Sequence, residues 1–274
     1  MSANDGLVAH YARPQLEQAI LEALIANGTP IEGLSPDDLA PVDEFHLGGR
    51  EATVRLAKAL HLEPSQRLLD LGAGIGGPAR TFAANHGVSV TGIDLTPDFV
   101  ATGNALSARC SLADRVRLRE GDILDLPGDA SFDRATLIHV GMNIADKAAL
   151  FAAVRRALKP DGRFGLYDLM QVGPGEVAYP APWSSTQSTS FVEPPDAYRR
   201  TLEASGWRVV HEESLADLVL ERISEGRRNA KLHGRPALGL HLVIGDGFKE
   251  RFANAVAAVE AGTIAPIMMI AEPG

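Results

Sequence analysis

A run of glycines in the first third of the chain has the residue types of a binding loop for a small ligand. The stretch 67–80 reads RLLDLGAGIGGPAR, an apolar run that leads into Gly72, Gly74 and Gly76. Glycine permits a tight turn and lets a ligand approach the backbone closely. Pro78 suits the first turn of a helix. The stretch therefore predicts a buried strand, a turn that presents free N–H groups to a ligand, and a helix.

The glycine spacing alone fits two cofactor classes. Gly72, Gly74 and Gly77 satisfy the G-x-G-x-x-G pattern of dinucleotide-binding proteins, which is weak evidence by itself. Asp94 lies 20 residues after Gly74, where a carboxylate can accept hydrogen bonds from ribose hydroxyls. That position serves NAD equally well, so a NAD-dependent oxidoreductase stays open.

Two further acidic residues favour a cofactor that carries a positive charge. Asp70 stands at the end of the first predicted strand, where its carboxylate can meet a ligand ammonium and would repel a pyrophosphate. Asp122, in the segment EGDILDLP at 120–127, can accept a hydrogen bond from an adenine amino group. These charges favour a cationic cofactor over NAD.

Strand and helix signals alternate on both sides of the glycine turn. The predicted strands cover 67–71, 88–93, 116–119, 132–138, 163–169, 206–210 and 264–270. Capped segments with helical spacing separate most of them, and this alternation is typical of a parallel sheet covered by helices on both faces. Pro266, near the start of the last strand, indicates an edge position for that strand.

In this order and spacing, the motifs resemble those of class I S-adenosylmethionine-dependent methyltransferases. The resemblance covers residues 46–170: LDLGAGIGGPAR resembles their first motif, and GIDL at 92–95 resembles the segment with their ribose-binding acid. GDIL at 121–124 resembles their adenine contact, and LKPDG at 158–162 the turn before their fifth strand. The upstream HLGG at 46–49 and the GGPAR ending are most similar to glycine, sarcosine, dimethylglycine and tocopherol-type methyltransferases.

The resemblance implies a fold, a cofactor and a set of contacts. The fold is a Rossmann-like, doubly wound α/β fold with a seven-stranded, mostly parallel sheet, an antiparallel last strand, and helical lid or cap insertions. The cofactor is S-adenosyl-L-methionine, and the product is S-adenosyl-L-homocysteine. The expected cofactor-binding residues are Asp70, Gly72, Gly74, Gly76, Asp94, Leu95, Asp122, Ile123 and His139.

Histidines supply the candidates for catalysis. His139 follows an apolar strand, and its ordinary pKa suits removal of a proton from a hydroxyl or ammonium. His241 is the second candidate. The related enzymes tend to carry a histidine where Asn143 stands in this chain. The predicted substrate pocket comprises His46, Gly49, Met142, Asn143, Tyr167 and Trp183.

Segments outside the sheet are expected to close the pocket. We predict an N-terminal helical lid in 1–50, a cofactor-binding domain in 51–213 and 263–274, and a helical cap in 214–262. The Pro- and Ser-rich loop around Trp183 breaks the alternation, and loops of this length are commonly lids. Methyl transfer needs water to be excluded, which gives such segments a purpose.

Composition narrows the class of protein and its partners. The formal net charge of −9 opposes non-specific binding to nucleic acid. The sequence has no run of 18 apolar residues, so no membrane span is predicted. No signal peptide is recognised either, and a cytoplasmic protein is expected. The single cysteine, Cys110, excludes a cysteine-based metal site, and no metal is predicted. A homodimer is left open.

The predicted function is transfer of a methyl group from S-adenosylmethionine to an O, N or C nucleophile of a small molecule in a lidded pocket. Two alternatives stay open. A NAD-dependent oxidoreductase rests on the glycine spacing alone, and a non-catalytic module would retain the cofactor pocket without turnover.

Overall fold

The centre of the protein is one seven-stranded sheet. The computed structural model describes residues 3–274, without the side chains of Ala3 and Asp5. The strands are β1 (Arg67–Leu71), β2 (Ser89–Asp94), β3 (Val116–Glu120), β4 (Phe132–Ile138), β5 (Leu158–Gln171), β6 (Trp207–Ser214) and β7 (Ile264–Pro273). Their order is β3-β2-β1-β4-β5-β7-β6. The first five strands pair in parallel, and β7 runs antiparallel to β5 and β6. The predicted fold class is confirmed.

Helices cover both faces of the sheet and its ligand-binding edge. They are α1 (Ala3–Tyr11), α2 (Leu16–Ala26), α3 (Pro36–Asp43), α4 (Gly49–Ala59), α5 (Gly77–His86), α6 (Pro97–Arg109), α7 (Lys147–Ala157), α8 (Pro195–Ala204), α9 (Ala216–His233), α10 (His241–Ile244) and α11 (Phe248–Glu260). Short 3₁₀ turns form at Gly141–Asn143 and Gln187–Thr189. Over residues 3–274, no helix combines the length and the apolar character that crossing a membrane requires.

The apolar run in β1 is continuous because the strand is covered on both faces. Successive side chains of a strand point to opposite faces. Leu69 therefore packs with Phe151 of α7 in one hydrophobic cluster, and Leu68 packs with Leu56 of α4 and Phe82 of α5 in another. A strand between two helical layers needs apolar residues on both sides, so its sequence does not alternate.

The predicted edge position of the last strand is wrong. β7 lies between β5 and β6, and Pro266 is paired with Leu169 of β5. The proline is tolerated because its backbone faces the side where β6 has just ended. Its carbonyl accepts a hydrogen bond from the Leu215 N–H at 2.9 Å, one residue beyond that strand. The N–H that proline lacks would have pointed to the same place.

The turn expected at 158–162 lies inside a longer strand. β5 begins at Leu158, opposite Phe132, and its next pair joins Arg163 to Arg134. The pairing thus advances five residues along β5 and two along β4, and the extra residues bulge out of the ladder. The predicted turn survives as an irregularity within the strand.

Two further hydrophobic clusters attach the outer helices to the sheet domain. One joins Ile20 of α2 and Leu39 of α3 to Phe99 of α6. The other joins Ala255 of α11 to Leu169 of β5, and it also contains Trp183. These contacts hold the N-terminal helices, the 172–194 loop and α11 against the carboxyl ends of the strands.

Candidate active site

A cavity of about 1220 Å³, open solvent at its mouth included, lies at the carboxyl ends of β1, β2 and β4. The glycine turn forms one wall through Gly72 and Gly74. The opposite wall includes Tyr11 of α1, Trp183 of the long loop and Phe252 of α11. The glycine turn, the strand ends and the outer helices therefore line one continuous space.

The glycine turn has the conformation that requires glycine. Gly72, Gly74 and Gly76 all have positive φ angles, of 68°, 55° and 79°. A Cβ at Gly72 would lie 2.4 Å from a methyl carbon of Val140, whereas a Cβ at Gly74 would meet nothing within 4 Å. Gly74 therefore faces open cavity. Gly76 precedes α5, packs near Leu118 and does not line the cavity.

Asp94 ties the end of β2 to the glycine turn. One carboxylate oxygen accepts the Gly74 N–H at 2.8 Å, and the other accepts the Thr96 N–H at 2.9 Å. Burial raises the pKa of Asp94, and the two backbone hydrogen bonds oppose that shift. Each carboxylate oxygen has a second lone pair, so both can still accept from a ligand in the cavity. Leu95 lines the cavity beside Asp94.

Asp70 presents an unpartnered carboxylate oxygen at the cavity. Its Oδ1 accepts the Thr136 hydroxyl at 2.7 Å, and its Oδ2 is buried with no hydrogen-bond partner. Burial raises the pKa of Asp70 to about 6, and the nearby carboxylates of Asp94 and Glu44 act in the same direction. An unpaired buried oxygen of this kind is costly unless a donor or cation meets it. The ammonium group of S-adenosylmethionine fits that requirement.

Asp122 has a different place from the one expected. Its Oδ1 accepts the Leu124 N–H at 2.8 Å, and its Oδ2 accepts the Asn4 side-chain amide of α1 at 2.8 Å. The carboxylate thus caps a turn and contacts the N-terminal helix, and it is not among the residues that line the cavity. Its neighbour Ile123 does line the cavity.

His139 is a buried imidazole beside the cavity. Its backbone has a φ of 54°, and its N–H donates to the Tyr167 carbonyl at 2.7 Å. The ring centroid lies 5.1 Å from that of Tyr167 and 5.7 Å from that of His46. Nε2 is buried without a hydrogen-bond partner. Burial, followed by the charge of His46, lowers the pKa of His139 well below its ordinary value, so the ring is neutral at pH 7.

His46 is surrounded by hydrogen-bond acceptors. Its Nδ1 lies 3.1 Å from the Leu47 carbonyl, and its Nε2 lies 2.8 Å from the Glu44 carboxylate. The Thr53 hydroxyl donates to Glu44 at 2.6 Å, so it can only accept from His46. Both ring nitrogens therefore face acceptors, and these contacts fix the orientation of the His46 ring. Burial would raise the pKa of Glu44, but its hydrogen bonds and charges, led by those of His46, bring it below the ordinary value.

Asn143 and Tyr11 meet across the cavity wall. The Asn143 side-chain amide donates to the Tyr11 hydroxyl at 3.1 Å, and its Oδ1 is buried without a partner. Met142 lines the cavity next to it. Tyr167 stays behind the wall, where its hydroxyl donates to the Leu47 carbonyl at 2.8 Å. Tyr167 therefore supports the segment that carries His46.

Two expected site residues lie away from the cavity. His241 packs edge-on against Phe248, with ring centroids 6.0 Å apart, and borders a separate shallow depression. Gly49 begins α4 and faces Arg222, because the chain turns into the helix there. Over residues 3–274, no group of three or more His, Cys, Asp or Glu side chains is placed to hold a metal ion.

Several cavity residues were not anticipated from the sequence. Tyr11, Phe45 and Phe252 line the cavity, and each belongs to a segment far from the glycine turn along the chain. Their aromatic character was the available signal, but an isolated aromatic residue on a helix is more often a core residue. Trp183, by contrast, was anticipated, and its Nε1 donates to the Ser190 hydroxyl at 2.9 Å.

Comparison with known proteins identifies the central part of this architecture. Residues 69–166 match the family model described as Methyltransferase domain. This segment is a methyltransferase domain. The matched residues begin in β1, continue through the glycine turn and end in β5, so they contain Asp70, Asp94 and His139. The resemblance to methyltransferases is confirmed over residues 69–166.

Two curated relatives each match less than half of this chain. A sterol 24-C-methyltransferase of Gibberella zeae is 32% identical over 114 residues, which are 41% of this chain and 30% of that protein. The 27-O-demethylrifamycin SV methyltransferase of Amycolatopsis mediterranei is 36% identical over 121 residues, which are 44% of each chain. This chain thus spans less than half the length of these two relatives.

Solved structures extend the similarity to the whole fold. Geranyl diphosphate C-methyltransferase from Streptomyces coelicolor has a TM-score of 0.67 at 19% identity, covering 100% of this chain and 99% of that one. That structure contains S-adenosyl-L-homocysteine. A sarcosine dimethylglycine methyltransferase structure from Galdieria sulphuraria has a TM-score of 0.62 at 21% identity, covering 81% and 84% of the chains. At these identities the likeness shows the fold.

Proposed function

We propose that the protein transfers a methyl group from S-adenosylmethionine to a nucleophilic atom of a small molecule. One observation carries the proposal: the Asp70 carboxylate presents an unpartnered buried oxygen next to the glycine turn of a methyltransferase domain. A cationic amino-acid group satisfies that oxygen, whereas the pyrophosphate of NAD would be repelled by it. When bound, the cofactor supplies an activated methyl group on a sulfonium.

The residues of the cavity divide the work of holding this cofactor. Asp70 would bind the ammonium group, and Asp94 would accept from the ribose hydroxyls while it keeps the Gly74 N–H in place. Ile123 would contact the adenine from the end of β3. Asp122 would not contact the cofactor itself. It would fix the turn that carries Ile123 and hold α1 in place.

His139 would receive the proton that an oxygen or nitrogen nucleophile releases. A neutral imidazole is required for this, and burial, with His46 acting in the same direction, lowers the pKa of His139 and keeps it neutral. Glu44 orients His46 through the contact at 2.8 Å. The pair is therefore a positioning and electrostatic device, and His139 is the candidate base.

The segments 1–50, 172–194 and 214–262 would serve as lid and cap over the domain formed by 51–213 and 263–274. Support comes from the lining of the cavity, to which all three segments contribute side chains. Excluding water protects an activated methyl group from side reactions and strengthens the electrostatic contacts inside. We also infer that the protein is cytoplasmic. It has no nucleic-acid partner in this proposal, since its net charge of −9 opposes such binding. Homodimer formation stays a prediction.

Calorimetric titration with S-adenosylmethionine, S-adenosylhomocysteine and NAD tests the proposal. We expect both sulfur cofactors to bind and NAD to bind at least a hundredfold more weakly. Tight binding of NAD without binding of either sulfur compound would overturn the assignment and favour an oxidoreductase. Release of S-adenosylhomocysteine with an acceptor present would separate an enzyme from a non-catalytic module.

A further inference from the structure

One end of the cavity is lined mainly by apolar side chains. Met142 and Leu169 contribute from the ends of β4 and β5, Trp183 from the long loop, and Phe252 and Ala255 from α11. All except Phe252 belong to one hydrophobic cluster that also packs against the start of β7. The surface offered to a molecule at this end is therefore aromatic and aliphatic.

The carboxylates of the cavity are already assigned. Asp70 and Asp94 lie at the ends of β1 and β2, and Asp43 is in a buried ion pair with Arg80 at 2.8 Å. Over residues 3–274, no lysine or arginine lines the cavity. His46 does line it, but both of its ring nitrogens face acceptors of the protein itself. An anionic acceptor would therefore lose its hydration here without gaining a free cationic group.

Two arginines of the outer segments bind mainly to oxygens of the protein. The terminal nitrogens of Arg13 donate to three backbone carbonyls, including that of Ile244, and its Nε is buried without a partner. Arg251 donates to the Ala181 carbonyl at 2.9 Å and to the Ser185 hydroxyl at 3.0 Å. These contacts join the lid segments to one another, so turning either guanidinium toward a ligand would break them.

Polar groups at the apolar end are few and unsatisfied. The Asn143 amide uses one of its two polar atoms on the Tyr11 hydroxyl, and the other is buried without a partner. Exchanging the amide oxygen and nitrogen would leave the same number unpaired. His139 Nε2 is also buried without a partner. In the exchanged orientation the amide oxygen accepts from the Tyr11 hydroxyl and the amide NH₂ faces the ligand. A ligand hydroxyl can then donate to His139 Nε2 and accept from Asn143.

We propose that the methyl acceptor is a neutral, largely apolar molecule with a hydroxyl-type nucleophile. Its apolar body would lie against Met142, Leu169 and Phe252, and its hydroxyl would lie beside His139 and Asn143. The inference rests on the proposed methyl transfer, because the acceptor is what the second half of the cavity would hold. It excludes acceptors whose recognition needs a phosphate, diphosphate or carboxylate.

Matched pairs of probes test this selectivity without knowledge of the natural acceptor. Geraniol and geranyl diphosphate share one flexible chain, and 2-naphthol and 2-naphthyl phosphate share one flat ring system. Each compound is titrated calorimetrically into the protein, with and without saturating S-adenosylhomocysteine. We expect the neutral member of at least one pair to bind ten times more tightly than its anionic partner, with no reversal in the other pair.

A charge placed in the apolar wall provides the second test. Ala255→Asp on the cavity side of α11 should weaken binding of the preferred neutral probe at least tenfold and leave S-adenosylhomocysteine binding unchanged. Ala257→Asp adds the same charge on the exposed face of that helix and should change neither. Melting temperatures of both variants show whether the fold is kept.

The outcomes separate the two proposals. Tighter binding of the anionic member of either pair, equal binding within both pairs, or no binding by either neutral probe overturns the apolar acceptor, while S-adenosylhomocysteine binding upholds methyl transfer. Failure of S-adenosylhomocysteine to bind overturns both. If Ala255→Asp does not fold, the probe pairs on the unmodified protein still decide the question.

Discussion

Asp70 is the residue whose state should couple the binding site to pH. With a pKa of about 6, its carboxylate is protonated in part of the molecules below neutral pH, and a protonated carboxyl attracts an ammonium less strongly. We predict that S-adenosylhomocysteine affinity rises between pH 5 and 7 and then levels off. Asp70→Asn should bind more weakly at pH 7.5 and lack this rise. Calorimetry at several pH values measures both.

The same group gives an opposite pH dependence for the stability of the free protein. A carboxyl whose pKa is raised by folding contributes stability that is fully present below about 3.9 and is lost as the pH rises through about 6. Asp168 has a raised pKa as well, but it titrates in both proteins. The pH slope of the unfolding free energy should therefore be shallower in Asp70→Asn. Parallel slopes would mean that Asp70 is ionised throughout.

Asp94 combines a ligand-binding role with a structural one. We predict that Asp94→Ala weakens S-adenosylhomocysteine binding by about 1.5–3 kcal/mol, the range for hydrogen bonds to a charged group. The variant should also melt earlier, because the Gly74 and Thr96 N–H groups lose their acceptors. Asp114→Ala removes an exposed acid before β3 and should affect neither property. Earlier melting with unchanged affinity would make Asp94 purely structural.

At the residue scale, the sequence predicted what local spacing determines. The glycine turn and Asp94 belong to one strand-turn-helix pattern whose geometry follows from residue types. The partner of Asp122 could not be predicted, because Asn4 lies 118 positions away and reaches it only through the packing of α1. The orientation of the His46 ring likewise depends on three acceptors that the folded chain brings around it.

Among the elements, α3 is fastened to the start of α5 by a fully buried ion pair. Arg80 donates to Asp43 at 2.8 Å and to the Ile75 carbonyl at 2.7 Å, so it also holds the glycine turn. A Cβ at Gly77 would lie 2.1 Å from the Asp43 carbonyl oxygen, which shows how closely the two helices approach. Direct contacts therefore join α3 to the glycine turn and to the start of α5.

Removing one partner of the Arg80–Asp43 pair should strongly destabilise the protein. We predict that Arg80→Met lowers the free energy of unfolding by about 3–5 kcal/mol, because Asp43 would be left buried without a partner. Arg199→Met removes the pairing of exposed Arg199 with Asp196 and should cost at most about 1 kcal/mol. Urea unfolding measures both. A loss below 1 kcal/mol for Arg80→Met would show that the ion pair does not secure α3.

The outer segments should respond to the cofactor. We predict that S-adenosylhomocysteine slows backbone hydrogen exchange in 5–30 and 175–192, because lid opening exposes those amides and a bound ligand disfavours the open state. Exchange in α7, which packs on one face of the sheet, provides the internal control. Indifference of both outer segments to the ligand would contradict their role as lids.

Element positions were predictable where the pattern was local. Apolar runs and caps located the first four strands to within one residue at each end. The edge position predicted from Pro266 was wrong because long-range pairing decides strand order. The pairing of β6 with β7 ends at Ile267, just before Pro266 is reached. The cap role of 214–262 stays a prediction from the sequence, but which of its residues face the cavity was not predictable, since its apolar face fits either packing or recognition.

At the scale of the whole molecule, the lid and cap segments are parts of the same hydrophobic structure as the sheet. The cluster around Trp183 includes Leu169 of β5, and the cluster of the N-terminal helices includes Ile75 of the glycine turn. Segments that share buried apolar surface lose it together when one of them unfolds. This organisation makes separate unfolding of a cap domain unfavourable.

The two tryptophans allow this cooperativity to be measured. Trp183 lies in the cluster under the cap, and Trp207 lies in the core of the sheet. We predict that Trp207→Phe, which leaves only Trp183 fluorescence, and Trp183→Phe, which leaves only Trp207, each show fluorescence and far-ultraviolet circular dichroism transitions with one common midpoint in urea. S-adenosylhomocysteine at one hundred times its Kd should raise the unfolding free energy by about 2.7 kcal/mol through both probes. If the Trp183 signal changes at lower urea than the circular dichroism of the same variant, the cap unfolds on its own, and closure over the cavity would be a domain movement instead of a property of one cooperative fold.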